Sequence, residues 1–332
     1  MGVKFNGIFE GRSIKMQELS GKTIAIDAFN WIFQFLTTIR LADGSYLTDS
    51  KGRVTTHLNG IFYRCISMLE NGINPVFVFD GKAPRFKKET LKERESIKEE
   101  ARIKAENAVT QEERAMYMRR LSRIDDYIVA SSKELLDYMG VKYVQAPAEG
   151  EAQAAWMSGK GLVYAAASQD YDTILFGAKR VIRNLNINNK RKISRKGITV
   201  QVNPEIIESD YNLKKLGVDR EKMIVVALFT GTDYNKGVDG IGPRKALNLV
   251  KENSVEKLLE SYDFRSDYDI KEVFQYFLTP DTVEVQNDLK LGSMQKEKLV
   301  EFMCKEHGFS EERMSASLQR IKREDSSLSF YD

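Results

Sequence analysis

Three apolar runs in this chain are too short for core helices, and each leads directly into an aspartate: TIAID at 23–27, PVFVFD at 75–80 and LVYAAASQD at 162–170. Short continuous runs of this kind are strands buried on both faces, as in a parallel sheet. Segments with helical spacing lie between them. AFNWIFQFLTTIR carries Ile32, Phe35 and Leu36 on one face, and HLNGIFYRCISMLENG closes on Gly72 as a C-cap. Alternation of strand and helix predicts an α/β fold with a sheet flanked by helices. Ligands of such sheets collect beyond the carboxyl ends of the strands, so Asp27, Asp80 and Asp170, leaving those ends, converge on one crevice. One strand ending in aspartate is ordinary turn chemistry; three in an alternating pattern are not.

The stretch Pro147–Asp172 adds acids in two i, i+2 pairs, Glu149 with Glu151 and Asp170 with Asp172, separated by the helical AQAAWMSGK and the apolar LVYAAA. Taken alone, it reads equally as an acidic helix start followed by a solvated turn. Beyond the helical pattern KMIVVALFTG, Asp233 completes a set of seven acids. Like charges this close raise one another's proton affinity unless cations neutralise them. An all-oxygen set without histidine or cysteine favours hard ions, so two Mg²⁺, with Mn²⁺ as the substitute, are the expectation for Asp27, Asp80, Glu149, Glu151, Asp170, Asp172 and Asp233. Two such ions about 3.5 to 4 Å apart suit in-line displacement at a phosphodiester.

Composition narrows the setting. The 332 residues carry 51 basic against 48 acidic side chains, a net charge of +3, so attraction to a polyanion must come from sorting charge in space. Cys65 and Cys304 form no C-x-x-C motif, and His57 and His307 cannot build a His-rich zinc site; a reducing, intracellular setting fits. The start MGVKFNGIFEGR lacks an apolar h-region and no run reaches membrane-spanning length, so no signal peptide or membrane partner is expected.

From Lys82 to Met139 there is no glycine and charges crowd every turn, which predicts long helices, with Thr110 and Glu113 restarting one that Gly140 ends. The apolar stripe of the first half, Ile97, Ala101, Ala105 and Ala108, is too thin for a deep core. A solvated surface helix is the bland reading. Against it, Lys87 and Arg94 are seven apart, hence on one face, just beyond Asp80, as a basic helix gripping phosphate requires. Further on, Val181–Asn184 and Gly197–Val200 read as strands, with NNKRKISRK an exposed hairpin loop. In GVDGIGPRKALNLV, Gly237, Gly240 and Gly242 precede a helix with Pro243 first. Glycines allow a tight turn and close backbone approach, and the helix-start amides, with Arg244 and Lys245, face a phosphate. An ordinary turn between helices is the alternative. The remainder, to about Lys322, reads as helical and carries no visible chemistry.

IAIDAFNWIFQF, NPVFVFDGKAPRFKK, APAEGEAQAA, AAASQDYDTILFG, FTGTDY and GVDGIGPRKAL resemble, in this order and spacing, the structure-specific 5′ nuclease family, from Gly2 to about residue 320. The resemblance implies a PIN-like mixed sheet, a helical arch over the active site and a helix-two-turn-helix element on downstream duplex. It implies one nuclease domain over 1–332: an N-terminal region 1–100, the arch about 82–130, an internal region 118–260 with the helix-two-turn-helix about 220–252, and a C-terminal region 253–332. The seven acids would hold metal, Lys87 and Arg94 would act on the scissile phosphate, and a K⁺ ion would sit at Gly237–Gly242. DNA contacts are implied at Gly2, Phe33, Lys87, Arg94, Glu149, Gly231, Asp233, Gly240, Gly242, Arg244 and Lys245. Members cleave 5′ flaps, and act as 5′ to 3′ exonucleases, in Okazaki-fragment maturation and long-patch base excision repair; a monomer acting on branched DNA is expected.

Two departures bear on partners. Phe33 stands where the family usually has a stacking tyrosine, which keeps the π-face and loses the hydroxyl. The tail places Glu324, Ser327, Phe330 and Tyr331 in the sliding-clamp register, with Leu328 one residue too close to the aromatics, so clamp binding is expected to be weakened. A basic nuclear tail is absent, which points to an archaeal source and a cytoplasmic location. Three alternatives stay open. One is a sibling preferring bubbles, gaps or Holliday junctions, against which the short stretch between Asp80 and Glu149 argues. Another is a non-catalytic DNA-binding scaffold, which has no need of seven anions. The third is a phosphatase, for which the glycine turn has no purpose.

Overall fold

The computed structural model describes residues 3, 5, 7–185, 190–193, 198–285 and 288–325; Gly2, Phe330 and Tyr331 lie outside the described residues. The first half of the chain alternates β1 (Arg12–Ser13), β2 (Thr23–Asp27), α1 (Ala28–Thr38), α2 (Thr56–Glu70) and β3 (Asn74–Phe79). A helical excursion follows, α3 (Lys88–Glu106), α4 (Gln111–Arg120) and α5 (Asp126–Met139), before β4 (Lys142–Gln145), α6 (Gly150–Gly159), β5 (Ala165–Ala167) and the short α7 (Asp172–Leu175). Then come β6 (Arg180–Arg183), β7 (Lys190–Ile193), β8 (Ile198–Gln201) and β9 (Glu205–Glu208). Helices complete the chain: α8 (Ser209–Leu216), α9 (Arg220–Thr230), α10 (Pro243–Glu252), α11 (Val255–Ser261), α12 (Ile270–Leu278), α13 (Lys296–Val300) and α14 (Glu311–Asp325).

Seven strands form one mixed sheet in the order β1-β9-β6-β5-β2-β3-β4, parallel from β6 to β4 and antiparallel at β9 and β1. From β2 the chain winds outward to β3 and β4 on one side and later to β5 and β6 on the other. The point where the winding reverses lies between β2 and β5, where the strand ends leave a crevice. Side-chain alternation divides the core between the two faces. Ile24 and Ile26 join Trp31, Leu58, Phe77 and Leu135 on the face covered by α1, α2 and α5, whereas Ala25, Val76 and Val78 join Ala154, Val225 and Phe277 under α6, α9 and α12.

Several boundaries differ from the expectation. The strand in LVYAAA is confined to Ala165–Ala167, so Asp170 leaves through a bend and Asp172 opens α7. The helix restarted at Thr110, whose hydroxyl accepts from Glu113 N at 3.1 Å, does not run to Gly140. It stops at Arg120, and a second cap, Asp125 accepting from Ile128 N at 2.9 Å, starts α5. A side-chain acceptor that can satisfy an orphan helix N–H restarts the register wherever it stands. NNKRKISRK is not a plain loop either, because Lys190–Ile193 pairs antiparallel with Ile198–Gln201. Ala101 and Ala105 are buried in the arch, where α3 packs on α4, and Ile97 is exposed.

The α3–α4 pair is tied back to the sheet by loop 40–46. Arg40 donates from Nε to Leu36 O at 2.5 Å, from one terminal nitrogen to Gly44 O at 2.7 Å, and from the other to Ser122 Oγ at 2.7 Å. Gly44 has φ of 84°, and a Cβ there would lie 2.6 Å from Ala115 Cα, so only glycine lets the loop meet α4. Among the described residues no helix is long and apolar enough to cross a membrane, and Cys65 and Cys304 are free.

Phe77, fully buried in β3, meets Trp31 edge to face at 5.8 Å between centroids. Phe77→Ala is expected to cost about 3 to 5 kcal/mol, read as a lower denaturant midpoint at unchanged slope. A midpoint equal to wild type would show that β3 is not a packed centre of the core.

Candidate active site

Each acid reaches the crevice through a local reason for the chain to turn. Asp27 ends β2 and caps α1, accepting from Asn30 N at 2.9 Å. Asp80 follows β3 and accepts from Gly150 N at 2.6 Å, across to the start of α6. Gly150 is required there, since a Cβ would lie 2.7 Å from Asp80 Oδ1 and 2.9 Å from Val78 O. Glu149 is the N-cap residue of α6, with Glu151 in its first turn. Glu151 accepts from Ser168 Oγ at 3.0 Å and Thr173 N at 3.1 Å, and also from Thr173 Oγ1. Asp172 accepts from Val3 N at 2.8 Å. Asp233 stands beyond α9, after Gly231 with φ of 91°.

The carboxylates form one electrostatic group. Burial, then the charge of Asp80, pushes Asp27 up to about 7. Burial raises Asp80 to about 6, with Glu149 adding to the rise. Burial and the charges of Asp170, Asp233 and Glu149 hold Asp172 at about 7. Glu151 is pushed well above the carboxylate range by burial, then by Asp172, Asp170 and Asp27. All seven acids named from the sequence therefore act on one another in a single site.

Positive charge enters from the start of the arch. Lys87 Nζ pairs with Glu149 Oε1 and lies 3.4 Å from Asp233 Oδ2; Arg94 donates to the same Asp233 oxygen at 2.7 Å. Burial would lower Lys87, but Glu149 and Asp233 hold it well above its ordinary value. Burial would raise Asp233, yet Lys87 and Arg94 keep it below the usual range. The seven-residue spacing thus brings both cations to one carboxylate, although Lys87 belongs to a single 3₁₀ turn, Arg85–Lys87, ahead of α3. Thr90 Oγ1 adds a 2.6 Å bond to Asp233 O. A cleft of about 230 Å³ opens beside this junction, lined by Phe86, Thr90, Gly231, Asp233, Tyr234 and Tyr268 among others.

The other sequence candidates stand on separate elements. Phe33 is 42% exposed on α1. Between α9 and α10, Gly237 and Gly240 are left-handed at φ of 80° and 72°, and Gly242 is the N-cap residue of α10. A Cβ on Gly237 would lie 2.6 Å from Gly231 N, so the double turn closes only with glycine. Arg244 and Lys245 are exposed on the first turn of α10. Sequence reasoning missed Tyr234, Tyr276, Ser168, Thr173 and Gly150, all of which touch or face the acids; the polar run SQDYDT and the glycine between two glutamates were the available signals.

Among the described residues no three carboxylates are drawn into one ready ligand set, and Asp27, Asp80, Glu149, Glu151, Asp172 and Asp233 are each held by a protein donor or cation. The donor chemistry nonetheless fits hard divalent ions: oxygen alone, anionic, and with proton affinities raised by crowding that a cation would relieve. Glu149, Glu151, Asp170, Asp172, Asp27, Asp80 and Asp233 are the residues that would hold them.

These features define the class, an α/β nuclease acting on phosphodiesters. Residues 2–101 match the XPG N-terminal domain and residues 140–233 the XPG I-region. Flap endonuclease 1 of Pyrococcus abyssi is 47% identical over 97% of this chain and 94% of its own length. That of Archaeoglobus fulgidus is 45% identical over 97% of this chain and 96% of its own. The solved structure of flap endonuclease-1 from Methanococcus jannaschii superposes with a TM-score of 0.75 at 38% identity, over 96% of this chain and 98% of that one. The chain belongs to the flap endonuclease 1 family. It is a structure-specific 5′ nuclease, and so a hydrolase.

A carboxyl whose proton affinity is raised by folding binds more protons folded than unfolded, so its contribution to stability is whole below about pH 4 and lost as pH rises. For Asp27, Asp80 and Asp172 that loss runs through about 6 to 7. The Tm of EDTA-treated protein is therefore expected to fall between about pH 5 and about pH 8, with Mg²⁺ restoring more at the higher pH. A Tm insensitive to pH and Mg²⁺ in differential scanning fluorimetry would refute the electrostatic group.

Proposed function

We propose that the chain hydrolyses the phosphodiester at the base of a 5′ flap on branched DNA, and acts as a 5′ to 3′ exonuclease, with Lys87 and Arg94 as the residues that receive the scissile phosphate. The observation that carries this is their convergence on Asp233 and Glu149 at the mouth of the strand-end crevice. Two hard divalent cations, Mg²⁺ or Mn²⁺, supply water activation and charge neutralisation there when bound. Lys87 and Arg94 exchange carboxylate for phosphate oxygen, forming charge-assisted bonds that strengthen as negative charge grows. Because both cations come from the base of one arch, a strand must lie under α3 to reach them. The half-exposed ring of Phe33 offers a stacking face for a base beside the cut. Gly231, Gly240, Gly242, Arg244 and Lys245 hold duplex backbone, with K⁺ at the glycine turn, and backbone contact selects DNA shape instead of sequence. Glu149 and Asp233 come close to the same phosphate. Okazaki-fragment processing and base excision repair are the roles general to the family, and an intracellular site of action goes with them. Of the tail that a sliding clamp would bind, the described residues include Glu324 and end at Asp325.

Lys87→Ala is expected to lower the single-turnover rate about a hundredfold with flap affinity little changed. An unchanged rate would leave Lys87 a structural counter-ion. Mg²⁺-dependent cleavage of matched 5′-flap, gapped, bubble and linear DNA tests the substrate: the flap is expected to be cut fastest, and a preference for bubble or junction DNA would overturn it.

A further inference from the structure

Behind Glu149 lies a buried aromatic group that neither the acids nor the arch cations account for. Phe86, next to Lys87 in the chain, packs against Tyr234, Tyr268 and Tyr276 at 6.4, 5.2 and 5.6 Å between ring centroids. Tyr234 and Tyr276 meet edge to face at 5.6 Å, and Tyr234 also packs on Phe277 at 5.2 Å. Tyr276 and Phe277 belong to α12, in the region where the sequence shows no chemistry. Tyr234 O–H donates to Glu149 Oε2, while Lys87 Nζ donates to Oε1. The two oxygens of one carboxylate are thus held by different partners, one neutral and fixed, the other cationic and needed elsewhere. The Tyr276 hydroxyl, on a residue only 8% exposed, faces Glu149 but makes no well-aligned hydrogen bond among the described residues. The charge of Glu149 acts on both phenols, which places the two hydroxyls around one carboxylate.

We infer that Tyr234 is a positioning residue for Glu149 and that the Tyr276 hydroxyl is a reserve donor to the same carboxylate. When Lys87 turns to phosphate, Glu149 loses one of its two holds. Tyr234 keeps the remaining oxygen oriented, and Tyr276, whose hydroxyl has no well-aligned acceptor among the described residues, can take a share of the charge. Phe86 carries the same packing to the backbone beside Lys87, so α12 helps to set the distance between the acid and the cation. The inference rests on Glu149 being a metal-side acid, as read above.

The test is Mn²⁺ titration of the DNA-free protein by electron paramagnetic resonance, beside single-turnover cleavage of a 5′ flap. Tyr234→Phe is expected to weaken Mn²⁺ affinity and slow cleavage about tenfold each, with flap affinity within about twofold. Tyr276→Phe alone is expected to cost less than about threefold, and the double variant more than the product of the two single losses. Unchanged Mn²⁺ affinity in Tyr234→Phe, whether the rate holds or falls along with Tm, would overturn the positioning role and leave packing alone. A double variant equal to the product would overturn the reserve role of Tyr276. Asp172→Ala separates this from the metal reading, because equal Mn²⁺ binding by Asp172→Ala and wild type would strike that reading itself.

Discussion

Seven carboxylates crowded into one half-buried crevice repel one another, and much of the surrounding architecture manages that repulsion. Burial and mutual charge push Asp27, Asp80, Glu151 and Asp172 up, whereas Asp233, which faces Lys87 and Arg94, is held down. The contrast shows where positive charge is already supplied. On the Asp233 and Glu149 side the protein brings its own cations; on the Asp27, Glu151 and Asp172 side the hydrogen-bond donors among the described residues are neutral, Asn30 N, Thr173, Ser168 and Val3 N. A divalent ion would relieve most where the proton affinities are highest, beside Asp27, Glu151 and Asp172, whereas Lys87 and Arg94 already offset part of the charge of Glu149 and Asp233.

That division follows from topology. The central strands β5, β2 and β3 are parallel neighbours, so the residues leaving them emerge side by side, and the reversal of winding between β2 and β5 keeps any helix from covering the gap. The arch enters from the β3 side, immediately after Asp80, which places its first cations over Glu149 and Asp233. Its remaining length is weakly attached to the core, held mainly by Arg40, Gly44 and Ser122 at the far end. A helix pair fixed at both feet and thinly packed between them is suited to spanning a strand.

The glycine turn between α9 and α10 answers a different need. Asn235 ties it to Leu228 O at 2.7 Å and Phe264 O at 3.1 Å, and Arg265 to Gly237 O at 2.8 Å. A backbone surface held this firmly keeps its shape, whereas in the proposed reaction Lys87 and Arg94 exchange carboxylate for phosphate oxygen. Precision therefore comes from the turn and adaptability from the side chains.

Much of this was legible from residue order alone. Apolar runs ending in aspartate encode buried parallel strands with acids at their exits, because strand burial and turn chemistry are local. Gly237, Gly240, Gly242 and Pro243 likewise announce a turn and a helix start through backbone sterics. Lys87 and Arg94 share a face by helical period. Tertiary structure alone decided that Lys87 pairs with Glu149, that Tyr234 holds the other oxygen, and that Tyr276 arrives from α12. The break at 121–125 was also hidden, since the Asp125 cap competes locally with a helix pattern that runs straight through it. Periodicity reports which face a residue occupies, but which distant side chain meets it depends on how helices pack across the sheet, and no local pattern carries that distance.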